Sequence, residues 1–356
     1  MSAETKCEKE AGRRRVRLGV AGLGRIGLMH AQNVAGPVRT AELSRVVDSD
    51  EARARSAGEE LGVEWSTDYS DLLADPAVDG VVIATPTEHH VRMVESAAEA
   101  GKHVFCEKPV ALDLPSTLSA LAAAKRARVA FQVGFHRRFD PDFAAAAARI
   151  ESGELGDVYF FKTTLRDKQP PPMDYIAGSG GFFVDVTIHD LDAARWLVGE
   201  IEGVTAHGAA ISDPGFAEIG DVDHAVVVLR FESGALGVID ESRVAGYGYE
   251  CSTEVVGSRA TVRIGHHRHV DNVWLTPGSA AVDWVEDFTE RFARAYSLEL
   301  EEFAAAIREQ RTPAVSGEDG LAAFVLAQAC DRSFREQRTI RLRHEERVGR
   351  VIYEAA

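Results

Sequence analysis

Residues Val16 to Ala21, Val-Arg-Leu-Gly-Val-Ala, run directly into Gly22-Leu23-Gly24-Arg25-Ile26-Gly27 and then into a helical pattern over Ile26 to Val34. A strand, a turn with three spaced glycines and a helix in immediate succession leave the chain few folds. The first glycine permits a tight turn, the second lets a ligand approach the backbone, and the third lets the helix lie close on the strand. The N-terminus of the helix then makes a seat for an anion such as a pyrophosphate. By itself the spacing is a weak signal, and its context has to carry it.

That context is an alternation. Strand candidates at Val16 to Ala21, Leu43 to Asp48, Gly80 to Ala84, His103 to Cys106 and Val129 to Val133 are separated by helix candidates. The helices fall near Ile26 to Val34, Asp50 to Leu61, Glu88 to Ala100 and Leu114 to Ala127. Such a rhythm predicts βαβ units and a parallel, doubly wound α/β sheet of the Rossmann type. Asp48 ends the second strand about 20 residues past Gly27, where a carboxylate accepts hydrogen bonds from adenosine ribose hydroxyls. Ser49, Asp50 and Glu51 follow it and supply no cation for a 2′-phosphate, which Asp48 would repel. The expected cofactor is therefore NAD rather than NADP, held by Gly22, Gly24, Arg25, Ile26, Gly27, Asp48 and Ser49. Arg53 is a nearby cation that could alter this preference.

The rhythm stops near Gly134. Beyond it come a helix over Pro141 to Ser152 and alternating strands at Val158 to Leu165, His224 to Phe231 and Ala235 to Ser242, with turn signals at Ser233-Gly234 and Gly257-Ser258. Two late helices, about Asp287 to Glu309 and Glu318 to Glu336, are divided at Thr312-Pro313. At 356 residues the chain suits two domains. The sequence predicts a disordered lead-in over 1–14, a dinucleotide-binding domain over 15–134, and an α+β domain with an open, largely antiparallel sheet over 135–356.

Charge and cysteine usage exclude several functions. A net charge of −16 argues against nucleic acid as a partner, and no apolar run reaches the ~20 residues that span a bilayer. Cys7, Cys106, Cys251 and Cys330 are widely spaced and fit neither a zinc knuckle nor a disulfide framework, which suits a reducing cytoplasm. Arg13, Arg14 and Arg15 precede the apolar stretch, but Gly22, Gly24 and Arg25 interrupt it, so it reads as a strand and not as an export signal.

Two sites carry chemistry. Lys108, in Glu107-Lys108-Pro109, follows the strand ending at Cys106; ligands of doubly wound sheets bind beyond the carboxyl ends of the strands. Pro109 stiffens that turn and favours an extended Lys108. The second site opens a helix at Gly180-Gly181-Phe182-Phe183-Val184-Asp185-Val186-Thr187-Ile188-His189-Asp190, where the four-residue offset puts Asp185 and His189 on one face. Taking a hydride from a secondary alcohol also requires its hydroxyl proton to leave, and a neutral imidazole is suited to accept it near pH 7. His189 is the candidate base, with Asp185 binding a hydroxyl or raising the basicity of His189. A capped helix with an exposed histidine is the competing explanation of that pair.

The fingerprint at Gly22 to Gly27, the run Ala84-Thr85-Pro86-Thr87-Glu88-His89-His90, Glu107-Lys108-Pro109 and Asp185-x-x-x-His189 together resemble the glucose-fructose oxidoreductase, inositol dehydrogenase and rhizopine catabolism family. The resemblance runs from about residue 15 to 342 and is strongest toward inositol 2-dehydrogenases, through Gly134 to Asp140, Asp185 to Asp190, Gly220-Asp221-Val222-Asp223 and Tyr247-Gly248-Tyr249. It implies a cyclitol such as myo- or scyllo-inositol as substrate, and a homotetramer. Lys108 would hold the reacting hydroxyl, His189 take its proton and Asp185 bind a neighbouring hydroxyl. Arg138, Asp167 and Tyr249 would be further substrate contacts, with Arg166 in the same segment. Thr85, Pro86, His89 and Glu107 would line the cofactor.

Two stretches fit no pattern of the family: Asp167-Lys168-Gln169-Pro170-Pro171-Pro172-Met173-Asp174 and Gly265-His266-His267-Arg268-His269. The first adjoins the expected substrate residues and leaves an aminocyclitol or a pyranose open as substrate. The second reads as an exposed turn, and hydride transfer to NAD implies no metal. A dinucleotide-binding sensor without catalysis is the alternative of another class, but it would have no need of Lys108, Asp185 and His189 together.

Overall fold

The computed structural model describes residues 14–265, 268–345 and 350–354, so the expected lead-in, apart from Arg14, and His266 and His267 lie outside the described residues. The chain divides into two compact units.

The first unit comprises Met1–Ala111, Pro115–Gly134 and Tyr296–Gly317. Its strands are β1 (Val16–Ala21), β2 (Ala41–Val47), β3 (Glu64–Ser66), β4 (Gly80–Ile83), β5 (His103–Cys106) and β6 (Phe131–Val133). They pair in parallel in the order β3-β2-β1-β4-β5-β6, with the direction of chain travel reversing beside β1. A parallel sheet is covered on both faces, and Leu18, Val20, Val82 and Phe105 are fully buried. The helices Arg25–Ala35, Glu51–Leu61, His90–Glu99 and Leu114–Ala127 fall where the sequence places them. Asp50 starts the second by accepting from the N–H groups of Ala52 and Arg53, and Gly62, at φ 68°, ends it. The three-residue β3 is too short to show a period in sequence.

The late helix Ala293–Glu309 sends Leu300, Phe303 and Ala304 into the same core as Leu18, Val20 and Phe105. Residues 296–317 therefore group with the first unit, whereas a linear division after Gly134 leaves them in the second. Nothing local in a helix says which core its apolar stripe will meet.

The second unit comprises Leu112–Leu114, Phe135–Ala295 and Glu318–Ala356. Its main sheet contains β7 (Val158–Arg166), β8 (Ile201–Ala209), β9 (His224–Phe231), β10 (Leu236–Ser242), β11 (Glu250–Gly257), β12 (Thr261–Ile264), β15 (Ile340–Glu345) and β16 (Arg350–Glu354). The order is β12-β11-β7-β10-β9-β8-β15-β16, antiparallel except for β7 beside β10. On β9, Ala225, Val227, Leu229 and Phe231 are buried while Val226 and Val228 on the other face are exposed, which is the open sheet that the alternation predicts. The helix Ile188–Val198 packs on β7. A hairpin of β13 (Arg268–Thr276) and β14 (Ser279–Trp284), turning at Gly278, forms a small sheet of its own. Among the described residues no helix is long and apolar enough to cross a membrane.

Candidate active site

Two of the three fingerprint glycines of the first unit answer to a steric constraint. Gly22 has φ 87°, and a Cβ there would come within 2.6 Å of the Ala84 carbonyl oxygen. A Cβ on Gly27 would lie 1.8 Å from the Gly22 carbonyl oxygen, so only glycine lets the helix start this close to β1. Gly24 is extended, and a Cβ there would meet nothing within 4 Å. Among the described residues no side-chain hydrogen bond caps the helix Arg25–Ala35 at Gly24. Asp48 is buried at the end of β2. Its Oδ2 accepts from the Leu23 N–H at 2.7 Å and its Oδ1 from the Asp50 N–H at 2.9 Å, which fixes the carboxylate against the turn. Arg53 Nη2 stands 3.5 Å from Asp48 Oδ1, with its Nε 3.2 Å from Asp50. This local chemistry fits a dinucleotide with free ribose hydroxyls.

The loops after β4 and β5 are joined by a residue that the sequence analysis passed over. His90 is buried, with Nδ1 2.9 Å from the Pro109 carbonyl oxygen and Nε2 2.8 Å from that of Thr85. Burial lowers its pKa, although the two carbonyls act in the opposite direction. Its neighbour His89 is exposed and 3.5 Å from Glu88, as is Pro86, while Thr85 is half-buried. The doublet His89-His90 was visible in sequence, but which of the two turns inward depends on helix phase. The Lys108-Pro109 bond is cis, which no local rule announced. Lys108 is half-buried, and its backbone N–H donates to Glu107 Oε2 at 3.2 Å.

In the second unit Asp185 sits in a π-helical turn, Phe183–Thr187, that continues as the helix Ile188–Val198. The sequence predicts the run but not its wider first turn. Gly180 and Gly181, at φ 89° and 88°, lead into it, and Asp221 Oδ1 accepts the Phe182 N–H at 2.9 Å. The Asp185 carboxylate is gripped on both oxygens: Arg243 Nη2 lies 3.0 Å from Oδ2, and the Tyr175 hydroxyl donates to Oδ1 at 3.2 Å. His189 is half-buried, with its ring edge-on to Phe135 and to His136, at centroid distances of 5.8 and 5.0 Å. Behind them Asp190 is fully buried and accepts from Arg137 Nη1 at 2.6 Å and Thr163 Oγ1 at 2.7 Å. Thr187 donates to Glu241, whose carboxyl is pushed well above its ordinary range by burial and by the nearby Asp190. A polar network of this kind holds the helix to the sheet in one register.

Arg138, expected to contact substrate, is engaged with acidic side chains. Its guanidinium makes a bidentate pair with Asp192, at 2.6 and 2.9 Å, and reaches Asp319 at 3.0 Å, so it joins the helix Ile188–Val198 to the start of the helix Gly317–Glu336. Arg166 likewise bonds Asp240 at 2.6 Å. Tyr249 is buried among Phe288 and Phe292, and burial keeps its phenol protonated far above the usual range. Asp167 is half-buried at the end of β7, its N–H donating to the Ser242 carbonyl. Sequence reasoning overlooked Arg243 and Tyr175. The first stands just past the strand Leu236–Ser242, where a lone arginine in sequence reads as a surface charge, and the second follows the proline-rich stretch that matched no pattern.

Residues 16–135 match the model of an oxidoreductase family's NAD-binding Rossmann fold, and residues 147–342 that of its C-terminal alpha/beta domain. A myo-inositol 2-dehydrogenase from Thermotoga maritima is 43% identical, over 94% of this chain and 100% of its own. A scyllo-inositol 2-dehydrogenase (NAD(+)) from Bacillus subtilis is 41% identical, over 92% and 96%. The crystal structure of scyllo-inositol dehydrogenase from Lactobacillus casei, with bound NAD(H) and scyllo-inositol, superposes with a TM-score of 0.87 at 29% identity, covering 92% of this chain and 99% of that one. The chain belongs to the glucose-fructose oxidoreductase, inositol dehydrogenase and rhizopine catabolism family of oxidoreductases, with an NAD-binding Rossmann domain and the C-terminal alpha/beta domain of that family.

Proposed function

We propose that this chain is an NAD-dependent dehydrogenase that oxidises a ring secondary hydroxyl of an inositol. The observation that carries the reading is a match to inositol 2-dehydrogenases at above 40% identity along more than nine-tenths of both chains. NAD, when bound, supplies the acceptor for the hydride. Gly22, Gly24, Gly27 and Asp48 would hold it, with Thr85 and the residues around Glu107 completing its seat. Lys108 is assigned to bind the oxygen of the reacting carbon, stabilising negative charge as the proton leaves. His189 is assigned to accept that proton, and Asp185, paired with Arg243, to accept a hydrogen bond from a neighbouring hydroxyl.

A second substrate class is favoured by one feature. The stretch 167–174, which fits no pattern of the family, leads into Tyr175, whose hydroxyl donates to the Asp185 carboxylate. An aminocyclitol or a pyranose therefore belongs in the test. Purified protein would be given NAD or NADP with myo-, scyllo- and chiro-inositol, glucose and an aminocyclitol, and NADH formation followed by absorbance. Turnover of an inositol with NAD is expected. Binding of NAD without turnover of any polyol would overturn the reading in favour of a specialised biosynthetic substrate first and a non-catalytic sensor second.

The same proposal includes a tetramer in the cytoplasm. Exposed Val226, Val228 and Leu236 on the open sheet support subunit contacts, and the free, buried thiols of Cys106, Cys251 and Cys330 support a reducing compartment. Light scattering that gives a monomer would refute the first.

A further inference from the structure

Three ionisable side chains meet inside the first unit, and the reaction outlined above gives no role to two of them, His30 and Glu299. His30, on the helix Arg25–Ala35, places Nε2 2.7 Å from Oε1 of Glu107, at the end of β5. Glu299, on the helix Ala293–Glu309, brings a carboxyl oxygen within 4.8 Å of both groups. His30 and Glu299 are fully buried, and Glu107 is 14% exposed. Two carboxyl groups have thus been carried out of water into one place.

Among the described residues no lysine or arginine pairs with either carboxyl group. The His30 ring packs edge-on to Phe105 and to Tyr296, and its Nδ1 is buried without a hydrogen-bond partner. The imidazole hydrogen therefore belongs on Nε2, where it is donated to Glu107. Gln132 directs its amide to the backbone carbonyl of Glu299 and not to the carboxyl. Among the described residues no donor reaches either Glu299 oxygen. Two ionised carboxylates in such a setting are not sustainable, and either a proton or a cation has to neutralise one of them.

Geometry favours the proton. Two ligands of one tetrahedral zinc, each ~2.1 Å from the metal, stand roughly 3.3 Å apart. The 2.7 Å between His30 and Glu107 is instead a hydrogen-bond distance. Burial, with Glu107 beside it, raises the pKa of Glu299 far above the ordinary carboxyl range. Glu107 in turn is wedged against Gly134, where a Cβ would approach Oε2 to 3.0 Å, and its Oε2 accepts the backbone N–H of Lys108.

We propose that Glu299 is kept as a neutral carboxylic acid that donates to Glu107, and that with His30 it fixes the Glu107 carboxylate as the anchor of the Lys108 backbone. Glu299 is then a positioning residue for the dehydrogenase reaction, and the inference rests on the role assigned to Lys108. It differs from a metal site in needing a donor at position 299 rather than a charge.

The test compares wild type with Glu299→Gln, Glu299→Ala and Lys108→Ala, measuring kcat, KM for inositol, NAD affinity, metal content and the infrared carbonyl band of neutral carboxylic acids at neutral pH. The expected outcome is an acid band that Glu299→Gln removes. That variant should keep kcat within about threefold, since an amide donates to Glu107 as the acid does, while Glu299→Ala loses kcat by more than tenfold with KM less affected. Absence of the band, a Glu299→Gln enzyme as impaired as Glu299→Ala, or stoichiometric metal that Glu299→Gln releases would each overturn the proposal. If Glu299→Ala does not fold, the infrared comparison with Glu299→Gln still decides. Failure of the Lys108 assignment shows separately, as a Lys108→Ala enzyme at full speed with the band intact.

Discussion

Arg243 Nη2 lies 3.0 Å from Oδ2 of Asp185, and both side chains are buried. Removing one member of such a pair leaves the other charged and unsolvated, at a cost of about 3 kcal/mol. Arg243→Met should lower the unfolding free energy by about that amount. It should also weaken inositol turnover (kcat/KM) by more than ~10-fold without changing NAD affinity, because Asp185 loses its orientation. Denaturant titration and steady-state kinetics check both. A variant with unchanged kinetics would leave Asp185 as a structural residue only.

The role of His189 can be separated from binding. Positioned acid–base groups contribute about 10²–10⁴-fold in rate. His189→Ala should lose kcat on that scale, keep NAD affinity, and lose the acid limb of the pH–rate profile that a proton-accepting imidazole imposes. Full turnover by the variant would remove His189 from the mechanism.

Asp48 and Arg53 together set the cofactor preference. The carboxylate repels a 2′-phosphate, and it also occupies the guanidinium, 3.5 Å away, that would otherwise attract one. Asp48→Ser removes the repulsion and leaves Arg53 with Asp50 as its one acidic partner of the two, so the ratio of NADP to NAD turnover should rise by about tenfold or more. Adding Arg53→Ala to that variant should reverse most of the gain. Kinetics with both cofactors decide, and an unchanged ratio would mean that other groups choose the cofactor.

Most of the first unit was legible because each of its signals is local. The glycine spacing at 22–27, the acid at Asp48 and the strand-helix alternation follow from backbone geometry and burial, which neighbours in sequence determine. The same holds for Asp185 and His189 as neighbours in a helical run. The residues that hold them were not legible in the same way. Arg243 reaches Asp185 from 58 positions away, and the acidic partners of Arg138, Asp192 and Asp319, are 54 and 181 positions distant. Glu299 gave no sign of meeting Glu107, since a carboxylate in a helix reads as a solvated face until the fold buries it. Arginine pairing is decided by tertiary packing, and no period in the sequence encodes it.

Asp223, in the run Gly220-Asp221-Val222-Asp223 that helped to mark the family, gives the protein a specific response to acid. It is fully buried, and burial alone would raise its pKa. Hydrogen bonds from His224, from the Ser212 hydroxyl and from the N–H groups of Ile211 and Ser212 outweigh that effect and hold it down at about 2, against 3.8 for an ordinary aspartate. The folded protein therefore stays ionised at Asp223 where the unfolded chain takes up a proton. The stability it contributes, about 2 kcal/mol, is complete above pH ~4 and is lost as pH falls through about 2. Asp223→Asn should unfold at lower urea concentration at pH 7, and its stability should fall less steeply than wild type between pH 4 and pH 2. Parallel pH–stability curves for the two proteins would show that Asp223 is not the residue responsible.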